Sequence, residues 1–167
     1  MKKVITGRAF LFGDNTDTDQ IYPGRYLELV KPEEVAAHCL EGADPSFVKK
    51  MTSGDVVVAG RNFGCGSSRE HAVITLVHAG VGVLIAESFA RIFYRNAINL
   101  GLPLIVCPGI TDRVKEGNIL EVDLHGGLVK NLTTSEEIQG EKLSDYVLKI
   151  LQNGGIKPLF KKLTADI

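Results

Sequence analysis

Apolar positions along the 167-residue chain change their period from segment to segment, and the changes mark the predicted elements. Residues 4–12 read as a strand that ends at Gly13. Three continuous apolar runs follow, Val56–Ala59, Val81–Ala86 and Leu104–Cys107. Unbroken runs of this kind fit strands buried on both faces. Between them Ala72, Val73, Leu76, Val77 and Gly80 recur at helical spacing, as do Phe89, Phe93 and Ala97. The spacing predicts helices over 68–79 and 89–100, the second with Ser88 as its N-cap. Together these form a βαβαβ unit, for which right-handed crossovers are expected.

The flanking segments are less regular. Pro32, Glu33 and Glu34 suit a first helical turn, and that helix is expected to reach Leu40. Asp44-Pro45 opens a short turn that Ser53-Gly54 closes, so residues 14–54 read as an excursion from the main unit. Residues 119–124 and 128–132 flank His125-Gly126-Gly127, a hairpin pattern. A last helix is predicted from Lys142 to Gln152, stopped by Asn153-Gly154-Gly155, with the Lys161-Lys162 end mobile. The fold class is α/β, in one domain spanning 1–167.

The chemistry concentrates after the first apolar run, in Gly60-Arg61-Asn62-Phe63-Gly64-Cys65-Gly66-Ser67-Ser68-Arg69-Glu70-His71. Gly60, Gly64 and Gly66 let the backbone turn sharply and a ligand come close. Ser67 or Ser68 stands where the next helix needs its N-cap. Amides at a helix start lack backbone partners and suit an anion or oxyanion. Arg69 adds a rigid fork of donors for a carboxylate or phosphate. A P-loop needs a lysine that is absent, a dinucleotide fingerprint needs glycine where Arg69 stands, and Gly66-Ser67-Ser68-Arg69-Glu70 is no hydrolase elbow. What remains is a small anion held by amides and an arginine, or simply a capped helix behind a tight turn. The loop follows a strand's carboxyl end, where ligands bind in such sheets. Arg91 and Arg95 share a helix face and read as solvated or salt-bridged, with a ligand-facing role left open.

Asp14-Asn15-Thr16-Asp17-Thr18-Asp19 fails the EF-hand pattern, because Asp19 stands where glycine is required. It reads as a turn stabilised by side-chain bonds to backbone, or as a polar loop meeting a ligand. Cys39, Cys65 and Cys107 are separated by 26 and 42 residues, which speaks against a disulfide framework and against a cluster or zinc held by this chain alone. The chain is 44% apolar and 23% charged, with a net charge of −1. That balance does not favour nucleic acid or an anionic membrane as partner. No apolar run has the length of a membrane span, and Met1–Thr6, soon broken by Gly7 and Arg8, is not read as a leader; a cytoplasmic location is the expectation.

Gly13-Asp14-Asn15-Thr16-Asp17-Thr18-Asp19-Gln20-Ile21, the Gly60–His71 stretch and Glu87-Ser88-Phe89-Ala90-Arg91-Ile92 resemble the aconitase superfamily. The chain is similar to its swivel domain, a swivelling β/β/α domain, encoded as a free small subunit like those of the isopropylmalate dehydratases. The short length fits the archaeal type. The resemblance implies dehydration and rehydration of a small dicarboxylate. It also implies a large partner subunit, in a heterodimer or heterotetramer, that carries a 4Fe–4S cluster, while this chain holds no metal or other cofactor. By the same resemblance Ser67 is the catalytic base, and Ser68, Arg69, Thr18 and Asp19 bind or line the substrate. Glu70 and His71 are read as support. Homoaconitase small subunits carry Arg-Thr after Tyr-Leu, whereas isopropylmalate-acting ones are apolar there. Here Tyr26-Leu27 is followed by Glu28 and Leu29, which are expected to face the substrate. Glu28 repels a third carboxylate and Leu29 packs on a branched alkyl group, which favours an alkylmalate. Homoaconitase, a dimethylmalate dehydratase and a non-catalytic anion-binding module are the alternatives.

Overall fold

A computed structural model describes residues 3–165; residues 1–2, which begin the stretch read against a leader, and residues 166–167 lie outside it. In chain order the elements are β1 (Val4–Phe12), α1 (Thr18–Ile21), α2 (Pro32–Ala36), α3 (Phe47–Lys50), β2 (Val56–Ala59), α4 (His71–Ala79), β3 (Val83–Ala86), α5 (Arg91–Asn99), β4 (Leu104–Val106), β5 (Ile119–Asp123), β6 (Leu128–Asn131), β7 (Glu136–Gln139), α6 (Asp145–Gln152) and α7 (Ile156–Ala165). Short 3-10 turns lie at Gly24–Tyr26 and Ile110–Asp112.

The strands form one seven-stranded sheet in the order β4-β3-β2-β1-β5-β6-β7. The first strand joins its two halves. Its C-terminal part runs parallel to β2, with Ala9 opposite Val56 and Phe12 opposite Ala59. Its N-terminal part runs antiparallel to β5, with Val4 opposite Asp123. The predicted βαβαβ unit, β2-α4-β3-α5-β4, is therefore joined to an antiparallel meander by a shared strand.

Strand alternation sends alternate residues of the parallel half into two cores. Val57, Ala59, Leu84, Ala86 and Leu104 pack with Leu76, Phe93 and Ala97 of the helices. Val56, Val58, Val83, Ile85 and Ile105 pack instead with Leu120, Val122, Val129 and Ile138 of the meander. The sheet thus curls until its antiparallel half covers one face of its parallel half, and helices cover the other. Burying each Val, Leu or Ile side chain stabilises by roughly 1.5–3 kcal/mol, so both layers are anchored by the same strands.

Several sequence-based boundaries are corrected. The first main helix starts at His71 with Glu70 as N-cap, so neither Ser67 nor Ser68 caps it. The next starts at Arg91 with Ala90 as N-cap, and Ser88 Oγ instead accepts a bond from the Asn62 amide. The last predicted helix begins at Asp145, capped by Ser144. The Lys161-Lys162 end belongs to a further helix, α7, which seats Leu159 in the core. The edge strand β7 was not predicted, because Ile138 is its one buried residue among charged and polar neighbours. A charged edge of this kind discourages pairing with another chain.

The two cores hold two of the three cysteines, Cys39 in one and Cys107 in the other, both fully buried. Burial pushes the Cys39 thiol up to about 12, against a smaller opposing effect of the hydrogen bond with Thr75. Burial, helped by the charge of Glu87, pushes Cys107 up to about 11. Unfolded thiols ionise near about 8.5, so the stability these groups contribute is whole below that pH and is lost progressively as pH rises toward the folded values. Urea midpoints should fall between pH 8 and pH 10, and fall less in Cys39→Ala. A thiol reagent at pH 8 should titrate half-buried Cys65 alone in the native protein, and all three cysteines in urea.

Candidate active site at the glycine loop

The parallel pairing of β1 and β2 does not stop at their last residues. The two chains run on side by side as loops. The Asn15 amide donates to the Arg61 carbonyl at 2.8 Å, and the Arg61 amide donates to Asp14 Oδ1 at 2.7 Å. Further on, the Gly64 amide donates to the Thr16 carbonyl and the Thr18 amide to the Cys65 carbonyl, both at 2.8 Å. The Ser67 amide then donates to Thr18 Oγ1 at 3.1 Å. The Asp14–Thr18 segment is thus a backbone clamp on the glycine loop. Asp17 also caps α1 through a reciprocal pair of bonds with Gln20.

On the other side, the Phe63 amide donates to the Ser88 carbonyl and the Ala90 amide to the Phe63 carbonyl. Phe63 is fully buried and packs edge-on against Phe89 and Phe93. Gly64 lies at φ +86°, where a Cβ would sit 2.2 Å from Phe93 Cγ. Gly66 lies at φ +101°, with a Cβ position 3.2 Å from Thr18 Oγ1. Left-handed backbone and close approach together require glycine at both positions.

The clamp presents a short polar rim. Ser67 Oγ accepts from Arg69 Nε at 2.8 Å and from the Arg69 amide at 3.2 Å. Gly66, Ser67, Ser68, Arg69 and Glu70 are all exposed. Ser68 contributes its carbonyl, which accepts from Asn96 Nδ2 of α5 at 3.2 Å. Asp19 is exposed, and its Oδ1 accepts from the Gly24 amide at 2.8 Å. Arg69 Nη1 and Asp19 Oδ1 both approach Gly24, 3.9 and 3.4 Å from where a Cβ would be. Ser67, Arg69, Thr18 and Asp19 are therefore gathered around one rim. Thr18 is only 6% exposed and acts by holding the Ser67 amide.

Glu28 and Leu29 are not part of that rim by any bond. They follow the Gly24–Tyr26 helix, Glu28 in a turn and exposed, Leu29 just past it and half-buried, and the Glu28 side chain makes no hydrogen bond or ion pair among the described residues. Their segment is anchored through Tyr26, whose ring stacks on His38 at 3.6 Å and whose hydroxyl donates to Glu41 at 2.9 Å. Burial alone would raise the Glu41 carboxyl, but the hydrogen bonds from His38 and Tyr26 outweigh it and hold it below its ordinary value. His71, the first residue of α4, stacks on Tyr22. Asn96 escapes sequence reasoning, because nothing local to α5 shows that it reaches back to Ser68.

The cysteines do not fit an iron–sulfur site. Cys39 and Cys107 are sealed in separate cores, and among the described residues no three His, Cys, Asp or Glu side chains converge on one point. A concavity of about 830 Å³ lies at the far end of the parallel strands. Gly54, Gly82, Gly101 and Gly154 line it without any charged side chain, so it offers no group for acid–base work. Its glycines are needed for packing: a Cβ on Gly101 would meet the Gly154 carbonyl at 2.5 Å. Among the described residues no helix is long and apolar enough to cross a membrane.

Two outcomes test the clamp. Gly64→Ala combines a clash with left-handed strain and should lower stability by on the order of 2–4 kcal/mol, measured by urea unfolding. Thr18→Val removes the acceptor of the Ser67 amide and should cost about 1 kcal/mol while speeding hydrogen exchange at Ser67.

With the fold and rim described, the chain can be set beside known proteins. The aconitase C-terminal domain family matches residues 46–108. 3-Isopropylmalate dehydratase small subunit 1 of Methanopyrus kandleri is 57% identical over 97% of this chain and 95% of that one. The isopropylmalate/citramalate isomerase small subunit of Methanocaldococcus jannaschii is 56% identical over 99% of each. The crystal structure of 3-isopropylmalate dehydratase from the same organism superposes with a TM-score of 0.92 at 48% identity, covering 97% of this chain and 96% of that one. The swivel-type α/β architecture expected from the resemblance is the one found, its seven strands curled into one sheet. The chain belongs to the aconitase-type hydro-lyases, in the family of the 3-isopropylmalate dehydratase small subunits.

Proposed function

We propose that this chain is the small subunit of a 3-isopropylmalate dehydratase, which interconverts 2- and 3-isopropylmalate in leucine biosynthesis. It works in the cytoplasm as one domain, in a heterodimer or heterotetramer with a large subunit that bears the 4Fe–4S cluster. The observation that carries the reading is the Ser67–Arg69 pairing: a serine oxygen receives two N–H donors, one of them from a guanidinium, on an exposed and rigidly clamped loop. A serine is a useful base only where its negative form is stabilised before reaction. Preorganised donors and a fixed positive charge do that.

The chain's own residues then divide the work. Ser67 Oγ takes the proton from the carbon beside the one bearing the hydroxyl. The C–H electron pair becomes the C=C bond as hydroxide leaves. Rehydration returns the proton from Ser67 to the other carbon, so hydrogen and hydroxyl exchange places. The Nη groups of Arg69 and the Ser68 hydroxyl, which make no hydrogen bonds among the described residues, take a substrate carboxylate. Thr18 keeps the Ser67 amide in place and Asp19 borders the rim. Glu28 and Leu29 disfavour a third carboxylate and favour a branched alkyl group. Departure of the hydroxyl group falls to the large subunit.

The direct test is anaerobic reconstitution with the cognate large subunit, followed by assays on isopropylmalate, citramalate, dimethylmalate, homocitrate and citrate. Isopropylmalate should be the best substrate; no turnover of any of them would leave only an anion-binding module. Ser67→Ala should lower kcat by at least about 10²-fold. Because Ser67 caps no helix, its loss should leave folding and assembly within about 0.5 kcal/mol of the parent. Glu28→Arg with Leu29→Thr reverses charge at one position and removes packing at the next. The ratio of kcat/KM for isopropylmalate over homocitrate should drop by about tenfold or more, since roughly 1.4 kcal/mol is tenfold. An unchanged ratio in the folded, assembled variant would show that residues 26–29 do not read the substrate.

A further inference from the structure

The seven arginines of the chain are distributed unevenly between paired and unpaired states. Arg8, Arg25 and Arg113 each have a carboxylate partner: Asp55, Glu41 and Glu136. Arg61, Arg69, Arg91 and Arg95 have no carboxylate within 4.0 Å among the described residues. All four lie on the two segments that leave the carboxyl ends of β2 and β3. Those segments are bonded to each other, through Asn62 to Ser88 and Asn96 to Ser68. A protein of net charge −1 thus gathers four uncompensated guanidinium groups around its candidate active site.

Only Arg69 is used by the proposed reaction. Arg91 and Arg95 stand one turn apart on α5, both exposed, and with Tyr94 and Ile92 they line a groove of about 520 Å³. Ile92 is 49% exposed between them. Glu141 lies near enough to help raise the Tyr94 phenol, after burial, yet it does not reach either arginine. An apolar residue flanked by two free arginines has the make-up of a protein interface.

We infer that the α5 face bearing Arg91, Ile92 and Arg95 is the docking rim for an acidic surface of the large subunit. The inference rests on the function proposed above. The Gly66–Glu70 rim is exposed, whereas dehydration chemistry needs a site closed to bulk water, so a partner must cover it. Whatever covers Ser67 and Arg69 also meets the helix bonded to Ser68. The charges there steer encounter and set register. Such rim charges act mainly on the association rate and its salt dependence.

The test uses the full chain and its cognate, cluster-reconstituted large subunit, with binding followed anaerobically by stopped-flow fluorescence and by activity. Arg91→Glu with Arg95→Glu should slow association by about tenfold or more at low salt and flatten its salt dependence, with little change in the dissociation rate. At saturating large subunit kcat should return to within about twofold of the parent, because neither arginine takes part in the reaction. Arg91→Lys with Arg95→Lys should associate nearly as fast as the parent, which separates charge from packing; the thermal midpoint of each variant checks folding. Equal association rates and salt slopes for parent and charge-reversed chain, with both complexes turning over substrate, would overturn the inference and leave the assigned function standing. A parent chain that binds no large subunit would overturn both. Loss of binding to a single-stranded RNA probe, with assembly unaffected, would reassign the patch to nucleic acid and overturn the inference as well.

Discussion

Two parallel strands that keep pairing after they have ceased to be strands set the geometry of this protein. Register between β1 and β2 fixes Phe12 opposite Ala59. From there the Asp14–Thr18 and Gly60–Ser67 segments stay joined by three backbone bonds of 2.8 Å and by two bonds to side-chain oxygens, at 2.7 and 3.1 Å. Close approach excludes side chains at two points of the loop: Phe93 of α5 leaves no room for a Cβ at Gly64, and Thr18 crowds Gly66. A rigid backbone holds the Ser67 and Arg69 side chains in one relative position. Preorganisation of this kind lets two ordinary polar groups stabilise charge without rearranging when it appears.

The curled sheet determines where that loop ends up. Because β1 serves the parallel and antiparallel halves at once, the meander packs onto one face of β2 and β3 and the helices onto the other. Both faces are sealed, so the edge at the carboxyl ends of the strands is left to carry chemistry. The glycine loop, the start of α5 and the Asp14–Asp19 segment all emerge at this edge. The opposite edge carries the larger concavity but no charged side chain. Size of a hollow and capacity for chemistry are thus separated at the two ends of one sheet.

The contrast between Thr18 and Arg69 shows how one rim divides its functions. Thr18 is buried and spends its hydroxyl on the Ser67 amide. Arg69 is exposed and uses one nitrogen on Ser67 while its fork stays open. The buried partner supplies rigidity and the exposed one supplies charge. Placing the guanidinium in the open keeps its hydration cost low until a partner surface excludes water.

The sequence by itself determined the elements whose pattern is local. Val56–Ala59 declared a strand by its unbroken apolar run, buried on both faces, Ala72–Leu76 a helix by the period that one buried face imposes, and His125-Gly126-Gly127 a hairpin by its turn residues. It also singled out Ser67, Arg69, Thr18 and Asp19, since glycines beside polar donors are chemically distinctive and the three motifs match a known superfamily. Tertiary structure alone decided how these residues meet. Neither serine caps a helix, because the loop is pulled toward residues 47 to 49 positions earlier in the chain, and α4 begins only at His71. The bond from Asn96 to Ser68, the curling of the meander over β2, and the pairing of some arginines but not others all depend on separations that no local pattern records. Edge strand β7 and helix α7 were missed for the related reason that each buries a single side chain, too little to impose a period.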